Sequence, residues 1–138
     1  MYIIYGIEIK GAIKYVGASK DIFNRLKCHF SSTTYPCGGI PLYKDMNMNL
    51  NTVRFVVIDY CTARTVDKTE KKWISHYNKV NGVYNRVSAE GLIKGLKSPV
   101  GKSVKMCLKN RKQLKTIMVD NLLYQLENIL PNKKFIKY

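Results

Sequence analysis

Two segments rich in isoleucine, valine and tyrosine open the chain, with a short turn signal between them. β-branched and aromatic residues favour extended strands, and a glycine-containing pair suits the tight turn of an antiparallel hairpin. The segments are Tyr2–Ile9 and Ile13–Ala18, and Lys10-Gly11 lies between them. The start of the chain therefore predicts a β-hairpin, which commits this part of the fold to a sheet.

The rest of the first 93 residues predicts helices and a third strand. Serine and threonine cap helices, an Asn-Gly pair ends them, and clustered serine, threonine, proline and glycine form loops. The predicted elements are a helix from Lys20 to about Phe30 capped by Ser19, a loop over Ser31–Pro41, a short helix over Leu42–Met48, a strand over Thr52–Tyr60, and a helix from Val66 to about Val80 capped by Thr65 and ended by Asn81-Gly82. Residues 1–93 therefore predict one α+β domain.

Residues 94–138 form a second, more basic region. They carry 11 basic and 2 acidic side chains, and no acidic residue interrupts Lys94–Lys115. A dense block of one sign repels itself unless an anion neutralises it, so nucleic acid is the favoured partner and a solvated lysine-rich surface is the alternative. The candidate DNA-binding side chains are Lys94, Lys97, Lys102, Lys105, Lys109, Arg111, Lys112 and Lys115.

The same region predicts a helical extension of the first domain. Ser98-Pro99 is typical of a helix start, and Pro131 would end a helix. Apolar residues recur every fourth position between these limits, at Leu114, Met118, Leu122, Leu126 and Leu130. An amphipathic stripe of this kind needs a packing partner, which is either the first domain or a second copy of the chain in a homodimer.

Composition and local sequence exclude several classes of protein. The net charge is +15, yet 46% of the residues are hydrophobic, so the chain is not a disordered polycation. No apolar run approaches the roughly 18 residues of a membrane span, and no signal peptide opens the chain. The widely spaced cysteines indicate reduced thiols in the core of an intracellular protein, in the cytoplasm or in a nucleus. Gly101-Lys102-Ser103 lacks the first glycine of a phosphate-binding loop, so no nucleotide cofactor is expected.

Two predicted helices carry charged residues beside their apolar faces. Glu70 lies on the stripe formed by Trp73, Ile74 and Tyr77, where a carboxylate is costly unless a cation or a metal neutralises it. In the first helix, Arg25 and His29 form an i, i+4 pair that suits a phosphate and a proton shuttle. Each residue taken singly also fits an ordinary surface or core position. Together they suit metal-assisted cleavage of a phosphodiester.

Ile3-Ile4-Tyr5 and Tyr15-Val16-Gly17, with nine residues between them, resemble the paired signature of the GIY-YIG endonucleases. Further landmarks of that family follow in order at suitable spacing: Arg25, His29, Glu70 before Trp73-Ile74, and Tyr84-Asn85. The resemblance covers about residues 1–93. The chain departs from the signature at Ile3, which replaces a glycine. It also lacks the second histidine that many members carry, for which Tyr35 or Tyr43 could substitute.

The resemblance implies a fold and a set of roles. The fold is a small three-stranded antiparallel sheet flanked by helices. Tyr5 and Tyr15 would lie near the attacking water, with Tyr5 as general base, and Arg25 would contact the scissile phosphate. Glu70 would be the sole protein ligand of Mg²⁺, which Mn²⁺ could replace. Asn85 would brace the site, and Gly17 would permit a close backbone approach.

The sequence thus predicts a Mg²⁺-dependent DNA endonuclease of homing, mobile-element or phage type, with a basic extension that grips DNA. Two alternatives remain open. One is a nucleic-acid-binding module on the same fold that does not cut, and the other is a structure-specific nuclease for branched DNA.

Overall fold

The chain folds into a three-stranded sheet with helices packed on both faces. The computed structural model describes residues 1–34, 40–85, 96–101 and 108–135. The strands are β1 (Tyr2–Ile9), β2 (Ala12–Ser19) and β3 (Arg54–Cys61), and the helices are α1 (Ile22–Ser32), α2 (Pro41–Met48), α3 (Val66–Asn81) and α4 (Leu108–Ile129). A 3₁₀ turn spans Leu50–Thr52. The predicted α+β class, the antiparallel sheet and the C-terminal helix are confirmed.

The strand order is β2-β1-β3, and both strand pairs are antiparallel. Lys10 and Gly11 have φ values of 52° and 80°, which is the pair of positive angles that a tight hairpin turn of type I′ needs. Because side chains alternate along a strand, Tyr5 and Ile7 join the larger core with α1, α2 and α4, whereas Ile4 joins a smaller core with α3. The central strand therefore buries Tyr5 on the side that carries α1.

Helix α1 begins and ends later than the sequence predicts. Its N-cap is Asp21, whose carboxylate accepts from the backbone N–H of Asn24 at 3.2 Å. The Ser19 hydroxyl accepts instead from the backbone N–H of Asp21 at 3.1 Å. Ser31 and Ser32, expected in a loop, continue the helix, and the Ser32 hydroxyl donates to the backbone carbonyl one turn earlier. The last turn of α1 thus lies beyond its last apolar residue, Phe30.

Other boundaries also differ. Pro41, expected at the end of the loop, is the first residue of α2, and Thr52, expected in the third strand, lies in the 3₁₀ turn before β3. The predicted helix start at Ser98-Pro99 is wrong, because residues 96–101 are not helical and α4 begins at Leu108. Gly101 has a φ of 133°, which is incompatible with a helix.

Helix α4 packs through its apolar stripe onto the side of the sheet that carries Tyr5. Met118, Val119, Leu122 and Leu126 are buried in the same core as Tyr5. The stripe is therefore satisfied within the chain, which confirms the first of the two packing partners expected for it. Among the described residues, no helix has an apolar stretch long enough to cross a membrane.

Helix α4 also covers the outer edge of β3. The side-chain amide of Gln125 accepts from the backbone N–H of Val57 at 2.9 Å and donates to the carbonyl of Phe55 at 2.8 Å. These are the two bonds that a neighbouring strand would make.

Neither of the two described cysteines is fully buried in the core, although the sequence predicts this for them. Cys28 and Cys61 carry free thiols, but Cys28 is exposed and Cys61 is half-buried, so neither lies fully in the core. Cys28 lies on the outer face of α1, away from the apolar stripe that Phe23, Leu26 and Phe30 form. Cys37 and Cys107 lie outside the described residues.

Candidate active site

Tyr5 lies in the central strand and is fully buried. Its partner across the β1–β2 ladder is Gly17. A Cβ atom at Gly17 would overlap the hydroxyl and ring of Tyr5, so only glycine leaves room for this ring. The close approach that Gly17 permits is therefore to the Tyr5 side chain.

His29 lies on α1 beneath Tyr5, and only 3% of its surface is exposed. Its Nε2 atom lies 2.6 Å from the Tyr5 hydroxyl, and its Nδ1 atom lies 3.0 Å from the Tyr43 hydroxyl. The ring of Tyr15 meets the imidazole edge-on, with the ring centres 5.3 Å apart. Both imidazole nitrogens are therefore engaged by tyrosine hydroxyls. Tyr35, the other residue considered for the missing histidine, lies outside the described residues.

Arg25 lies one helical turn before His29 on α1. Its Nε–H donates to the Tyr5 hydroxyl at 3.4 Å, and it also hydrogen-bonds the Tyr15 hydroxyl. These contacts with Tyr5 and then Tyr15 raise the pKa of the guanidinium, although partial burial opposes the shift. The residue as a whole remains exposed. A permanent positive charge thus lies beside the two tyrosine hydroxyls and is open to a ligand.

The same contacts set the protonation of the aromatic groups. Burial is the main cause that raises the pKa of both Tyr5 and Tyr15, and the Arg25 charge opposes it. Burial, and then the Arg25 charge, lower the pKa of His29 to about 4. At neutral pH the site therefore holds two neutral phenols and a neutral imidazole, which can accept a proton.

Asn85 braces the strand that carries Tyr15. Its side-chain amide accepts from the backbone N–H of Val16 at 2.9 Å and donates to the Val16 carbonyl at 2.6 Å. One residue earlier, the backbone N–H of Tyr84 donates to the carbonyl of Lys14 at 2.7 Å. Asn85 therefore contacts β2 through the backbone of Val16, next to Tyr15.

Glu70 lies half-buried on α3. Burial raises the pKa of its carboxyl, the nearby charge of Asp67 raises it further, and the charge of Arg25 lowers it. The charge of Glu70 in turn raises the pKa of Tyr15. Glu70 is therefore within electrostatic range of both Arg25 and Tyr15, and the structure brings the expected carboxylate to the same site.

The donor set suits a hydrated cation better than a closed protein cage. The described residues contain no group of three or more His, Cys, Asp and Glu side chains that could hold a metal ion. Mg²⁺ usually keeps several waters and binds through one or two carboxylates together with substrate phosphates. The single carboxylate of Glu70, half-buried and open to solvent, fits that mode of binding.

A second polar link, which the sequence did not reveal, joins α2 to the segment that follows α3. The Tyr84 hydroxyl donates to Oδ2 of the buried Asp45 at 2.7 Å, and the Asn49 side chain donates to Oδ1 at 2.8 Å. Burial and the Asp45 contact raise the pKa of Tyr84, which keeps its hydroxyl a donor. Asp45 follows Tyr43 by two residues, so this link also fixes the helix that carries Tyr43.

The candidate DNA-binding side chains of the basic tail differ in how exposed they are. Lys97, Lys109 and Lys112 are exposed and Lys115 is half-buried, whereas Lys94, Lys102 and Lys105 lie outside the described residues. Arg111 folds back onto the end of α1. Its guanidinium donates to the Phe30 carbonyl and the Thr33 hydroxyl, as well as to the Asn47 side chain, and it stacks on the Phe30 ring. A phosphate contact by Arg111 would have to replace these bonds.

The comparison with known families agrees with this geometry. The family model of the GIY-YIG catalytic domain matches residues 1–85, which is more than half of the chain. The chain belongs to the GIY-YIG family. Comparisons with curated proteins and with solved structures find no significant match.

The GIY-YIG match contains every catalytic residue predicted from the sequence and ends at Asn85. As a GIY-YIG protein, the chain carries a nuclease domain, whose substrate is DNA. GIY-YIG nucleases generally depend on a divalent metal. Helix α4 lies outside the matched residues but within the same hydrophobic core.

Proposed function

We propose that this protein is a DNA endonuclease that hydrolyses phosphodiester bonds with Mg²⁺, for which Mn²⁺ can substitute. The observation that carries the proposal is the position of the Tyr5 hydroxyl, 2.6 Å from a neutral imidazole nitrogen and 3.4 Å from a guanidinium nitrogen. A proton acceptor and a phosphate-binding cation thus meet at one oxygen.

Arg25 binds and orients the scissile phosphate in this proposal. Its guanidinium is always charged, presents several N–H donors, and is accessible at the site. It also stabilises the negative charge that grows on the phosphate as water attacks. A phosphate bound there offsets the positive charge that lowers the pKa of His29, so substrate binding makes the imidazole a better base.

Tyr5 and His29 move the proton of the attacking water. The Tyr5 hydroxyl is buried beneath Arg25, so in this proposal water reaches it when the exposed Arg25 side chain moves onto the phosphate. The raised pKa of Tyr5 disfavours a free phenolate, so the hydroxyl gives its proton to Nε2 of His29 as it takes one from that water. The water O–H bond breaks, the Tyr5 hydroxyl is re-formed with the water proton, and the new hydroxide attacks phosphorus. Asn85 holds β2 in place during this step, and the ring of Tyr15 packs edge-on against His29.

Glu70 would hold the metal through its carboxylate, and the metal would supply Lewis-acid stabilisation of charge on the phosphate. The raised pKa of Glu70 means that its carboxyl is protonated more readily than usual, and a nearby cation favours the ionised form.

The basic tail supplies general affinity for the DNA backbone in this proposal. Lysine carries a point charge that suits phosphates, and the exposed lysines on α4 include Lys109 and Lys112. We propose a nuclease of homing, mobile-element or phage type, in which the basic extension contacts the DNA. A homodimer through α4 would use its exposed side chains, such as Ile117 and Tyr124, since the apolar stripe is buried within the chain. Sedimentation velocity measures that association directly.

The deciding experiment is incubation of the purified chain with supercoiled plasmid, with and without Mg²⁺ or Mn²⁺, followed on a gel. We expect nicked or linear DNA only with the metal. If the protein binds DNA but cuts no substrate with either metal, the non-cutting binding module is the correct function. Cleavage confined to branched substrates would identify the structure-specific nuclease instead.

A further inference from the structure

His29 is held between two tyrosine hydroxyls, one of which the proposed reaction does not use. The Tyr5 hydroxyl lies 2.6 Å from Nε2, and the Tyr43 hydroxyl lies 3.0 Å from Nδ1. Tyr43 is half-buried on α2, and its ring centre is 5.9 Å from that of the imidazole. It occupies the side of His29 opposite to the reacting group.

The neighbouring donors determine where the single proton of the neutral imidazole lies. The Arg25 Nε–H can only donate, so at this contact the Tyr5 oxygen is the acceptor. The Tyr5 hydroxyl has one proton to give, and of its two partners only Nε2 of His29 can accept it. Nε2 therefore carries no proton, Nδ1 carries it, and Nδ1 donates to the oxygen of Tyr43.

We propose that Tyr43 is a positioning residue that holds the Nδ1 proton of His29 and so keeps Nε2 free to accept from Tyr5. The inference rests on the proposed function, since it explains how His29 stays ready as the proton acceptor. In the opposite tautomer, Nε2–H would donate to Tyr5, and Tyr5 could not pass a proton on. A base oriented by a third group on its far nitrogen is the general logic of nucleophile–base–orienter arrangements.

Among the residues that the structure describes, no other group in contact with the His29 ring can replace Tyr43 in this role. The ring also meets Tyr15 edge-on and Phe55 at 6.2 Å between centres, and the charged group beside it is the guanidinium of Arg25. The hydrogen bond that the structure gives to Nδ1 is the one to Tyr43. The oxygen of Tyr43 is thus the acceptor that favours the imidazolium while His29 holds the extra proton.

Helix α2 is fixed well enough to hold Tyr43 in register. Leu42 and Met46 are buried in the main core, and Asp45 bonds both Tyr84 and Asn49. Tyr84 and Asn85 are adjacent, so one short segment contacts β2 through Asn85 and the helix that carries Tyr43 through Tyr84.

The test is the tautomer of His29, read from its two side-chain ¹⁵N chemical shifts in the labelled, metal-free protein. We expect Nδ1 to be the protonated nitrogen in the parent. In Tyr43→Phe, which keeps the ring and removes only the hydroxyl, Nδ1–H loses its acceptor, so we expect part of the proton population to move to Nε2 against the preference set by Tyr5 and Arg25. Tyr60→Phe is the matched control, because Tyr60 is 49% exposed on β3, and the change should leave the His29 shifts unchanged. The exposed His76 gives an internal reference in each spectrum.

A parent protein with the proton on Nε2 would overturn the proposal, and so would an unchanged tautomer in folded Tyr43→Phe. Should that variant fail to fold, the parent spectrum alone decides. In plasmid cleavage, Tyr43→Phe should lower kcat at least tenfold while KM stays within twofold. A parent that never cuts would refute the nuclease function, whereas the tautomer measurement would still stand by itself.

Discussion

The side-chain amide of Asn85 pairs with both backbone polar groups of Val16, as the next strand of a sheet would. This pairing holds the segment that carries Tyr15 and Gly17 on either side of Val16. Asn85→Ala would leave a partly buried N–H and C=O without partners, so the free energy of unfolding should fall by about 2 kcal/mol. Urea unfolding measures the change, and Asn132→Ala, at an exposed position, is the control. A loss no larger than that of the control would mean that water replaces the amide.

Gly17→Ala should damage the site more than the same change at Gly6. The new Cβ would overlap the ring of Tyr5, which is buried and bonded to His29, so Tyr5 must leave its position. At Gly6 the nearest atoms are the flexible side-chain ends of Ile13 and Ile58, which can move aside. We expect at least about a tenfold loss of cleavage rate for Gly17→Ala, which corresponds to about 1.4 kcal/mol of barrier. Equal effects of the two variants would contradict the argument.

Glu70→Gln should abolish metal-dependent cutting without unfolding the protein. The amide keeps the shape of the side chain but loses the charge that would hold a divalent cation. The cleavage rate of Glu70→Gln should fall at least about a hundredfold. In a separate variant, Arg25→Ala should lose roughly 3 kcal/mol of transition-state stabilisation, because the charge on the phosphate is no longer neutralised. Glu127→Gln, on the exposed face of α4, should cut at the parental rate. Parental cutting by Glu70→Gln would exclude Glu70 as the metal ligand.

His29 should make the stability of the protein depend on pH. Its folded-state pKa of about 4 lies below the ordinary value of 6.5, so the unfolded chain binds a proton that the folded chain does not. The stabilisation is complete above about pH 6.5 and is lost as the pH falls toward 4, by about 2 kcal/mol at pH 5. His29→Gln should flatten this part of the unfolding profile, whereas His76→Gln should keep it. An identical slope in parent and His29→Gln would place the pH dependence elsewhere.

The basic tail should set the salt dependence of DNA binding. Changing Lys102, Lys105, Lys109 and Lys112 to Gln should weaken binding to all duplexes alike, because lysine binds phosphates rather than base edges. The slope of log K against log salt should fall by about 0.9 for each phosphate that the tail no longer neutralises. A variant with Lys10, Lys44, Lys68 and Lys79 changed to Gln removes the same charge from the first domain and should change the slope less. An unaltered slope in the tail variant would make the tail a solvated surface.

The sequence predicts the sheet and most of the helices because these depend on local preferences. The hairpin follows from β-branched segments around Lys10-Gly11, and α4 follows from apolar residues at every fourth position. The predicted boundaries are less accurate, because they depend on single side-chain bonds. Asp21 and Ser19 are both good caps, and only the structure shows which of the two the helix uses.

Helix positions single out Arg25, His29 and Glu70 as candidates, whereas Tyr5, Tyr15 and Asn85 come only from the family signature. Spacing puts Arg25 and His29 on one helix, but it does not show that His29 reaches Tyr5 across 24 positions of sequence. The link between Tyr84 and Asp45 has no local signal, since an aspartate within a polar helix usually faces water. The bonds of Arg111 to the end of α1 have no local signal either, because the residues beside it, Asn110 and Lys112, are exposed and polar.

A small open sheet has two unpaired edges, and each edge is a template on which another chain can add a strand. Gln125 occupies that position on β3 by bonding Val57 and Phe55. It therefore protects the protein against edge-to-edge aggregation as well as joining α4 to the sheet. A chain that ends before α4 would expose this backbone edge together with the apolar core beneath it, and would be expected to self-associate into β-rich aggregates.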